Sequence, residues 1–362
     1  LVCPRPGEEA ACARRREEIR ARYAEEIARY TFCQWIAHKQ HGELRALAAE
    51  LGLKLYGDLQ IGLSERDVWS HQSLFLRGYL MGAPPSRTNP EGQPWNYAVY
   101  DPDQFYAAKG ASRLEVEGLE DAGPVLRIVY ARVDKLFSEF DGVRIDHPHG
   151  LVCPWVYKAG EPDALAAVKG GARLFSSPDL PDHPELARLS IATAAQINRS
   201  ARRYADDWVL SLTPEQVRRY RVFFDVLVAS ARKNGRDTSD LVCEVLSTMP
   251  YPVKRVLEQH GLGRFRVTQK ADLKNPSDVY RSENAAKEDW IMVGNHDTKP
   301  LWLLVDQWQK AGSCREQAEY LAARLLPDDP DGRVALAEEL AAHPGSSRRR
   351  SSPSCSRAGR RT

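Results

Sequence analysis

Three carboxylate residues each stand at the end of a short apolar run that is typical of a β-strand. They are Asp146 after Val143-Arg-Ile, Glu244 after Leu241-Val-Cys, and Asp297 at the end of Trp290-Ile-Met-Val-Gly-Asn-His. Cleavage of a glycosidic bond needs one carboxylate as nucleophile and one carboxylic acid for the leaving oxygen, about 5–5.5 Å apart when configuration is retained. A third acid can orient the sugar hydroxyls. The pattern therefore favours glycoside chemistry.

Arg144 precedes Asp146 by two residues, and the two-residue period of a strand puts both side chains on one face. The guanidinium there would hold Asp146 ionised and lower its pKa. Glu244 follows the apolar run Leu241-Val-Cys, so burial would raise its pKa. Such a difference lets one acid stay charged while the other keeps its proton.

Each of these residues also has a plainer interpretation. A carboxylate after a strand is often a helix N-cap or a surface ion pair. His296 beside Asp297 could be a hydrogen-bonded core histidine. His147 and His149 beside Asp146 could ligate a metal, although a bare His-x-His next to an acid is a weak metal signature.

The elements around these acids indicate an α/β protein. Helical spacing of apolar residues runs through 7–50, 124–140 and about 301–342, and short strands end near Asp58, Asp146, Glu244, Gln269 and Asp297. Strands that alternate with helices, with carboxylates at the strand ends, predict a (β/α)8 TIM-type barrel whose C-terminal face gathers the distant acids.

Two segments break this alternation. Residues 60–105 are rich in Gly, Pro, Asn and aromatic residues and have no clear period, so they predict an aromatic loop insertion in the barrel. The domain prediction is a catalytic barrel portion over 1–343. Residues 344–362 consist mainly of Ser and Arg, cannot bury a core, and predict a disordered tail.

Composition narrows the function classes. A net charge of +2 gives no reason to expect a nucleic-acid partner. Seven scattered cysteines without a C-x-x-C pair argue against a disulfide framework and a zinc site, which fits a reducing cytoplasm. Apolar runs are too short to span a membrane.

The order and spacing of several segments resemble the amylomaltase or disproportionating-enzyme family, glycoside hydrolase family 77 of the α-amylase clan. The resemblance covers residues 31–312. It rests on these segments: Gly57-Asp-Leu-Gln-Ile-Gly62, Gly92-Gln-Pro-Trp95, Tyr100-Asp-Pro102, Arg144-Ile-Asp-His147, Cys243-Glu-Val-Leu-Ser-Thr-Met-Pro250 and Gly294-Asn-His-Asp297.

The resemblance implies a retaining 4-α-glucanotransferase that moves an α-1,4-glucan segment to glucose or a maltooligosaccharide, without metal or organic cofactor. It implies Asp146 as nucleophile, Glu244 as acid/base and Asp297 as the third acid. The implied substrate-binding residues are Asp58, Gln93, Trp95, Tyr100, Arg144 and His296. An α-glucan hydrolase and an inactive glucan-binding fragment remain alternatives. We also hypothesise that Trp155 and Tyr157 line the acceptor side.

Two features depart from the family's pattern. Val245 and Ser247 replace an acid and a glycine, and Thr298-Lys299 replaces an Asn-Asp pair, which is typical of a divergent bacterial branch. The first two barrel strands and the eighth have no counterpart in the sequence. We therefore expect an incomplete barrel from a partial chain, whose oligomeric state the sequence leaves open.

Overall fold

The structure is a computed structural model that describes residues 4, 6–86, 89–107 and 116–343. The chain divides into two compact units, Leu1–His260 and Gly261–Thr362. The predicted tail 344–362 lies outside the described residues. None of the helices in the described ranges is both long enough and apolar enough to cross a membrane.

The first unit contains nine α-helices among its described residues. They are α1 Glu9–Arg22, α2 Ala24–Glu50, α3 Glu65–Ser70, α4 Pro124–Glu139, α5 His149–Val152, α6 Ala164–Lys169, α7 Pro214–Tyr220, α8 Val222–Lys233 and α9 Tyr251–His260. Its strands are β1 Tyr56–Leu59, β2 Phe75–Ala83, β3 Gln93–Tyr100, β4 Gly142–Ile145, β5 Trp155–Lys158, β6 Ala172–Arg173 and β7 Leu241–Cys243.

A parallel three-stranded sheet in the order β1-β4-β7 holds the centre of the first unit. Helix α4 begins at Pro124, where proline's fixed φ suits a first turn, and packs against α8. Its buried side chains recur at helical spacing, as in Val125, Val129, Val133 and Phe137. One apolar face of helix α4 therefore packs on the core, and β4 begins shortly after the helix ends.

Gly142 begins β4 at a point where a side chain has no room. A Cβ there would lie 2.2 Å from the ring of Tyr56 and 2.7 Å from the carbonyl oxygen of Asp240. Glycine therefore lets β4 enter between β1 and β7.

An antiparallel sheet in the order β3-β2-β5-β6 occupies much of the segment predicted as a loop insertion. The prediction of an irregular loop is thus wrong for residues 75–83 and 93–100, which form strands. Register shifts interrupt the β2–β3 pairing, and Gly78 has a φ of +80°. These irregularities erase the two-residue apolar alternation by which a strand is recognised in a sequence.

The second unit contains β8 Phe265–Val267 and β9 Trp290–Met292, which form a parallel pair, and the helices α10 Leu301–Ala311, α11 Cys314–Leu325 and α12 Pro330–Ala342. Ala318, Ala322, Leu336 and Leu340 form the core between α11 and α12.

Five of the predicted strands therefore form within the described residues, as a parallel sheet of three in the first unit and a parallel pair in the second. Their positions agree with the predicted strands that lead to Asp58, Asp146, Glu244, Gln269 and Asp297.

Candidate active site

The C-terminal ends of β1, β4 and β7 bring three sequence-distant acids to one edge of the sheet. Asp58 pairs in register with Arg144 across β1 and β4. The Asp146 backbone amide donates to the carbonyl of Leu59, and that of Glu244 donates to the carbonyl of Ile145, both at 3.0 Å. The sheet hydrogen bonding thus continues into both acids and fixes their backbones.

The guanidinium of Arg144 joins these three carboxylates. Its Nη1 donates to Asp58 Oδ2 at 2.6 Å, and its Nη2 donates to Asp146 Oδ1 at 3.1 Å and Glu244 Oε2 at 2.5 Å. The predicted contact between Arg144 and Asp146 is therefore confirmed. The side chain of Glu244 is only 2% exposed, whereas that of Asp146 is 30% exposed. One acid is enclosed and the other faces the solvent side.

The pKa of the Asp146 carboxyl is lowered to about 2, chiefly by a hydrogen bond from His147. A hydrogen bond with Glu244 and the positive charge of Arg144 lower it further, against the opposing effect of burial. Sequence analysis predicted the direction but attributed it to Arg144 alone. The immediate neighbour, His147, is the larger cause.

The pKa of Glu244 is raised, first by burial and then by its hydrogen bond with Asp146. Arg144 opposes this rise. One carboxylate oxygen of Asp146 and one of Glu244 lie within 4.8 Å of each other. The pair thus combines an acid whose pKa is lowered with an acid whose pKa is raised, at a spacing that suits a retaining mechanism.

A metal is the alternative use of these groups. Asp146, His147 and Glu244 offer ligand atoms that all lie within 4.8 Å of one another. However, the guanidinium of Arg144 already donates to one carboxyl oxygen of each acid and places a positive charge between them. A divalent cation would have to displace or repel it, so this arrangement does not favour a metal.

The aromatic residues of β3 fall into two groups. The indole nitrogen of Trp95 donates to Gln93 Oε1 at 3.0 Å, and its ring meets His147 edge-on with 5.0 Å between centroids. These two residues lie beside the acid pair. By contrast, the ring of Tyr100 stacks on Phe75 at 5.4 Å, and burial raises the pKa of its hydroxyl. Tyr100 is thus half-buried with its ring against Phe75, and its interpretation as a sugar contact stays a prediction.

Asp297 and His296 belong to the second unit and are described within it. His296 Nε2 lies 3.6 Å from Asp297 Oδ1, and both side chains are more than 60% exposed. His296 is thus an exposed partner of Asp297, not a core histidine. The grouping of these two residues with Asp146 and Glu244 stays a prediction.

Two residues hypothesised to line the acceptor side are buried instead. Trp155 is 3% exposed and donates to the carbonyl of Val168, and Tyr157 is 2% exposed. Sequence analysis considered His147 only as a weak metal ligand and missed its hydrogen bond to Asp146. Its position directly after Asp146 could have indicated this contact.

Comparison with known proteins identifies the family of the chain. The profile of glycoside hydrolase family 77, described as 4-alpha-glucanotransferase, matches residues 8–111 and 126–347. The chain is 31% identical over 169 residues to the 4-alpha-glucanotransferase of Thermus thermophilus, and the aligned region covers 44% of this chain and 31% of that protein. It is 30% identical over 159 residues to the 4-alpha-glucanotransferase of Haemophilus influenzae, and this aligned region covers 43% of the chain and 20% of the relative.

The amylomaltase of Streptococcus agalactiae, solved in complex with acarbose, is a structural relative. Its TM-score is 0.55 at 18% sequence identity, over 90% of this chain and 52% of that one. This likeness confirms the predicted α/β fold class, which is that of the amylomaltase barrel. The chain spans about half of that structure and a third or less of the two sequence relatives.

Proposed function

Because the chain belongs to glycoside hydrolase family 77, the 4-alpha-glucanotransferases, we propose that it takes part in the retaining transfer of an α-1,4-glucan segment. The acceptor is glucose or a maltooligosaccharide, and the donor is a maltooligosaccharide or a longer α-1,4-glucan. We propose that residues 1–343 form the catalytic portion. The proposal extends to the chain the activity for which its relatives are named.

One observation carries this proposal. Arg144 bridges Asp146 and Glu244, whose pKa values shift in opposite directions while their carboxylate oxygens stay within 4.8 Å. A helix cap or a surface ion pair needs no such division between a charged and a neutral acid. Retaining glycosyl transfer needs both forms at this spacing.

The first half-reaction follows from the protonation states. The ionised Asp146 attacks the anomeric carbon of the donor sugar, while protonated Glu244 gives its proton to the glycosidic oxygen as that bond breaks. A glycosyl ester on Asp146 and a shortened glucan result. Arg144 keeps Asp146 oriented and stabilises the charge that develops on Glu244.

The second half-reaction reverses these roles. Glu244, now ionised, takes the proton of an acceptor hydroxyl, whose oxygen attacks the anomeric carbon and releases Asp146. Two inversions retain the α configuration. A sugar acceptor yields transfer, whereas water would yield hydrolysis.

The remaining site residues have supporting roles in the proposal. Asp297 stabilises the distorted donor sugar and His296 assists it. Asp58 acts through its bond to Arg144. Gln93 and Trp95 contact sugar, since an aromatic ring suits the C–H face of glucose.

Incubation of the purified chain with maltotriose, with products resolved by chain length, tests the proposal. We expect glucose together with a ladder of longer maltooligosaccharides, no products from Asp146→Asn, and a normal ladder from Asp179→Asn. Asp179 is an exposed acid paired with Arg199 and serves as the matched control. Products no longer than maltotriose would indicate a hydrolase. Binding of maltotriose by a folded chain without turnover would indicate a glucan-binding fragment, and either result would overturn the proposal.

A further inference from the structure

Strand β3 contains a bulge at the position where it approaches the acid pair. Met81 pairs with Tyr97 and Ala83 pairs with Gln93 across β2 and β3. The single residue Gly82 on β2 therefore faces three residues on β3, from Pro94 to Asn96. A bulge re-aims the side chains that it contains and is common next to active sites.

The bulge has a backbone conformation that needs support. Asn96 has a φ of +58°, in the left-handed region that few residues other than glycine adopt and that asparagine enters more readily than most. Gly82 makes room for it, since a Cβ at that position would lie 2.3 Å from the carbonyl oxygen of Gln93.

Tyr157 in β5 holds Asn96 in this conformation. Its hydroxyl donates to Asn96 Oδ1 at 2.9 Å and accepts from the Asn96 backbone amide at 3.1 Å. Tyr157 is 2% exposed, so its ring is fixed by packing. A rigid buried side chain thus binds both the side chain and the backbone of the strained residue.

The neighbouring residue in the bulge, Trp95, connects this support to the nucleophile. Its ring meets the imidazole of His147 at 83° with 5.0 Å between centroids, an edge-to-face geometry that stabilises aromatic pairs. His147 itself has a φ of +43°, and its Nδ1 lies 3.5 Å from Asp146 Oδ1. The imidazole is thus held between Trp95 and Asp146.

We propose that Tyr157 and Asn96 are positioning residues, which lock the β3 bulge so that Trp95 holds His147 against the carboxylate of Asp146. This proposal rests on the proposed function only for its kinetic consequence. The geometric part, from Tyr157 to Asp146, stands independently of any reaction. It assigns a role to two side chains that make no contact with the acid pair in the contacts described above.

Tyr157→Phe is the direct test, because it keeps the buried ring and removes only the hydroxyl. Asn96 is exposed, so water can replace the lost hydrogen bonds and the fold should persist. The matched control is Tyr79→Phe. Tyr79 belongs to the same sheet, and its buried hydroxyl is bonded to His183 and Glu185. Asn96→Gly, which permits the positive φ but removes the amide, should have a smaller effect than Tyr157→Phe.

A measurement that does not need turnover is the ¹³C NMR titration of the Asp146 carboxyl between pH 3 and pH 7. We expect it to remain ionised over this range in the wild type and in Tyr79→Phe, and to titrate within the range in Tyr157→Phe. An Asp146 carboxyl that stays ionised over the whole range in folded Tyr157→Phe, as in the wild type, would overturn the proposal.

Kinetics supply the second measurement. With maltotriose, Tyr157→Phe should lower kcat about tenfold, equivalent to about 1.4 kcal/mol, while KM changes little. A fall of equal size in Tyr79→Phe would mean that any lost buried hydroxyl has this effect and would also overturn the proposal. If the wild type transfers no glucan yet the Asp146 titration shifts as expected, the proposed function fails and the positioning role stands.

Discussion

Replacement of Arg144 by Met removes a cation that donates hydrogen bonds to both acids of the pair. An opposite charge at hydrogen-bond distance lowers a carboxylate pKa by about 1–3 units. Asp146 is partly exposed and keeps His147, the larger cause of its lowered pKa, so we expect the pKa to rise by roughly 1 unit, or about 1.4 kcal/mol. Glu244, whose pKa Arg144 holds down, should also become harder to ionise.

The assay is the pH dependence of kcat/KM for maltotriose disproportionation. In the proposed mechanism the acid limb reports protonation of Asp146 and the alkaline limb reports ionisation of Glu244. Both limbs should therefore move to higher pH in Arg144→Met. Arg144→Lys keeps the charge but cannot reach Asp58 and the acid pair together, so it should lower the rate with little movement of the limbs.

The free energy of unfolding should also depend on pH through the shifted pKa of Asp146. The folded-state pKa of Asp146 lies below its unfolded value, so its contribution is present above about pH 4 and is lost as the pH falls towards 2. Arg144→Met should thus have a lower free energy of unfolding than the wild type at pH 6. The part of this difference that comes from Asp146 should shrink near pH 2. A folded variant whose two pH limbs coincide with those of the wild type would refute the electrostatic reasoning.

Three further predictions concern other parts of the site. Glu244→Gln should lose about 10²–10⁴-fold in transfer from maltotriose but keep cleavage of α-maltosyl fluoride, whose leaving group needs no proton; equal losses on both substrates would contradict the acid role. Tyr100→Ala should lower the unfolding free energy in urea by about 2–4 kcal/mol, because its ring packs on Phe75, without a specific rise in KM. At pH 8, iodoacetamide should label exposed Cys33 but not Cys243, whose thiol pKa burial raises to about 12; peptide mass spectrometry would detect any contrary labelling.

The acids of the first unit could be predicted from the sequence because their signals are local. Asp146 and Glu244 each follow an apolar run, and the strands that form there place them where the pattern indicated. Arg144 reaches Asp146 because the two-residue period of a strand is geometrically fixed. Parallel pairing then brings distant strand ends together, which the alternation of helices and strands already implied.

The features that could not be predicted depend on contacts between distant segments. The bulge in β3 depends on Gly82, which leaves room for the carbonyl of Gln93, and on Tyr157, which bonds Asn96 from a distant strand. Tyr100 stacks on Phe75, its register partner across the hairpin, and the broken alternation concealed this pairing. A propensity for strand does not specify such partners.

The most direct test of the account is the detection of a covalent intermediate on Asp146. Glu244→Gln, incubated briefly with α-maltosyl fluoride and quenched in acid, should show by intact mass spectrometry the added mass of one maltosyl group. Peptide mapping should locate this group on Asp146, and Asp146→Asn should show none. Consumption of the fluoride by folded Glu244→Gln with the label on another residue would contradict the account.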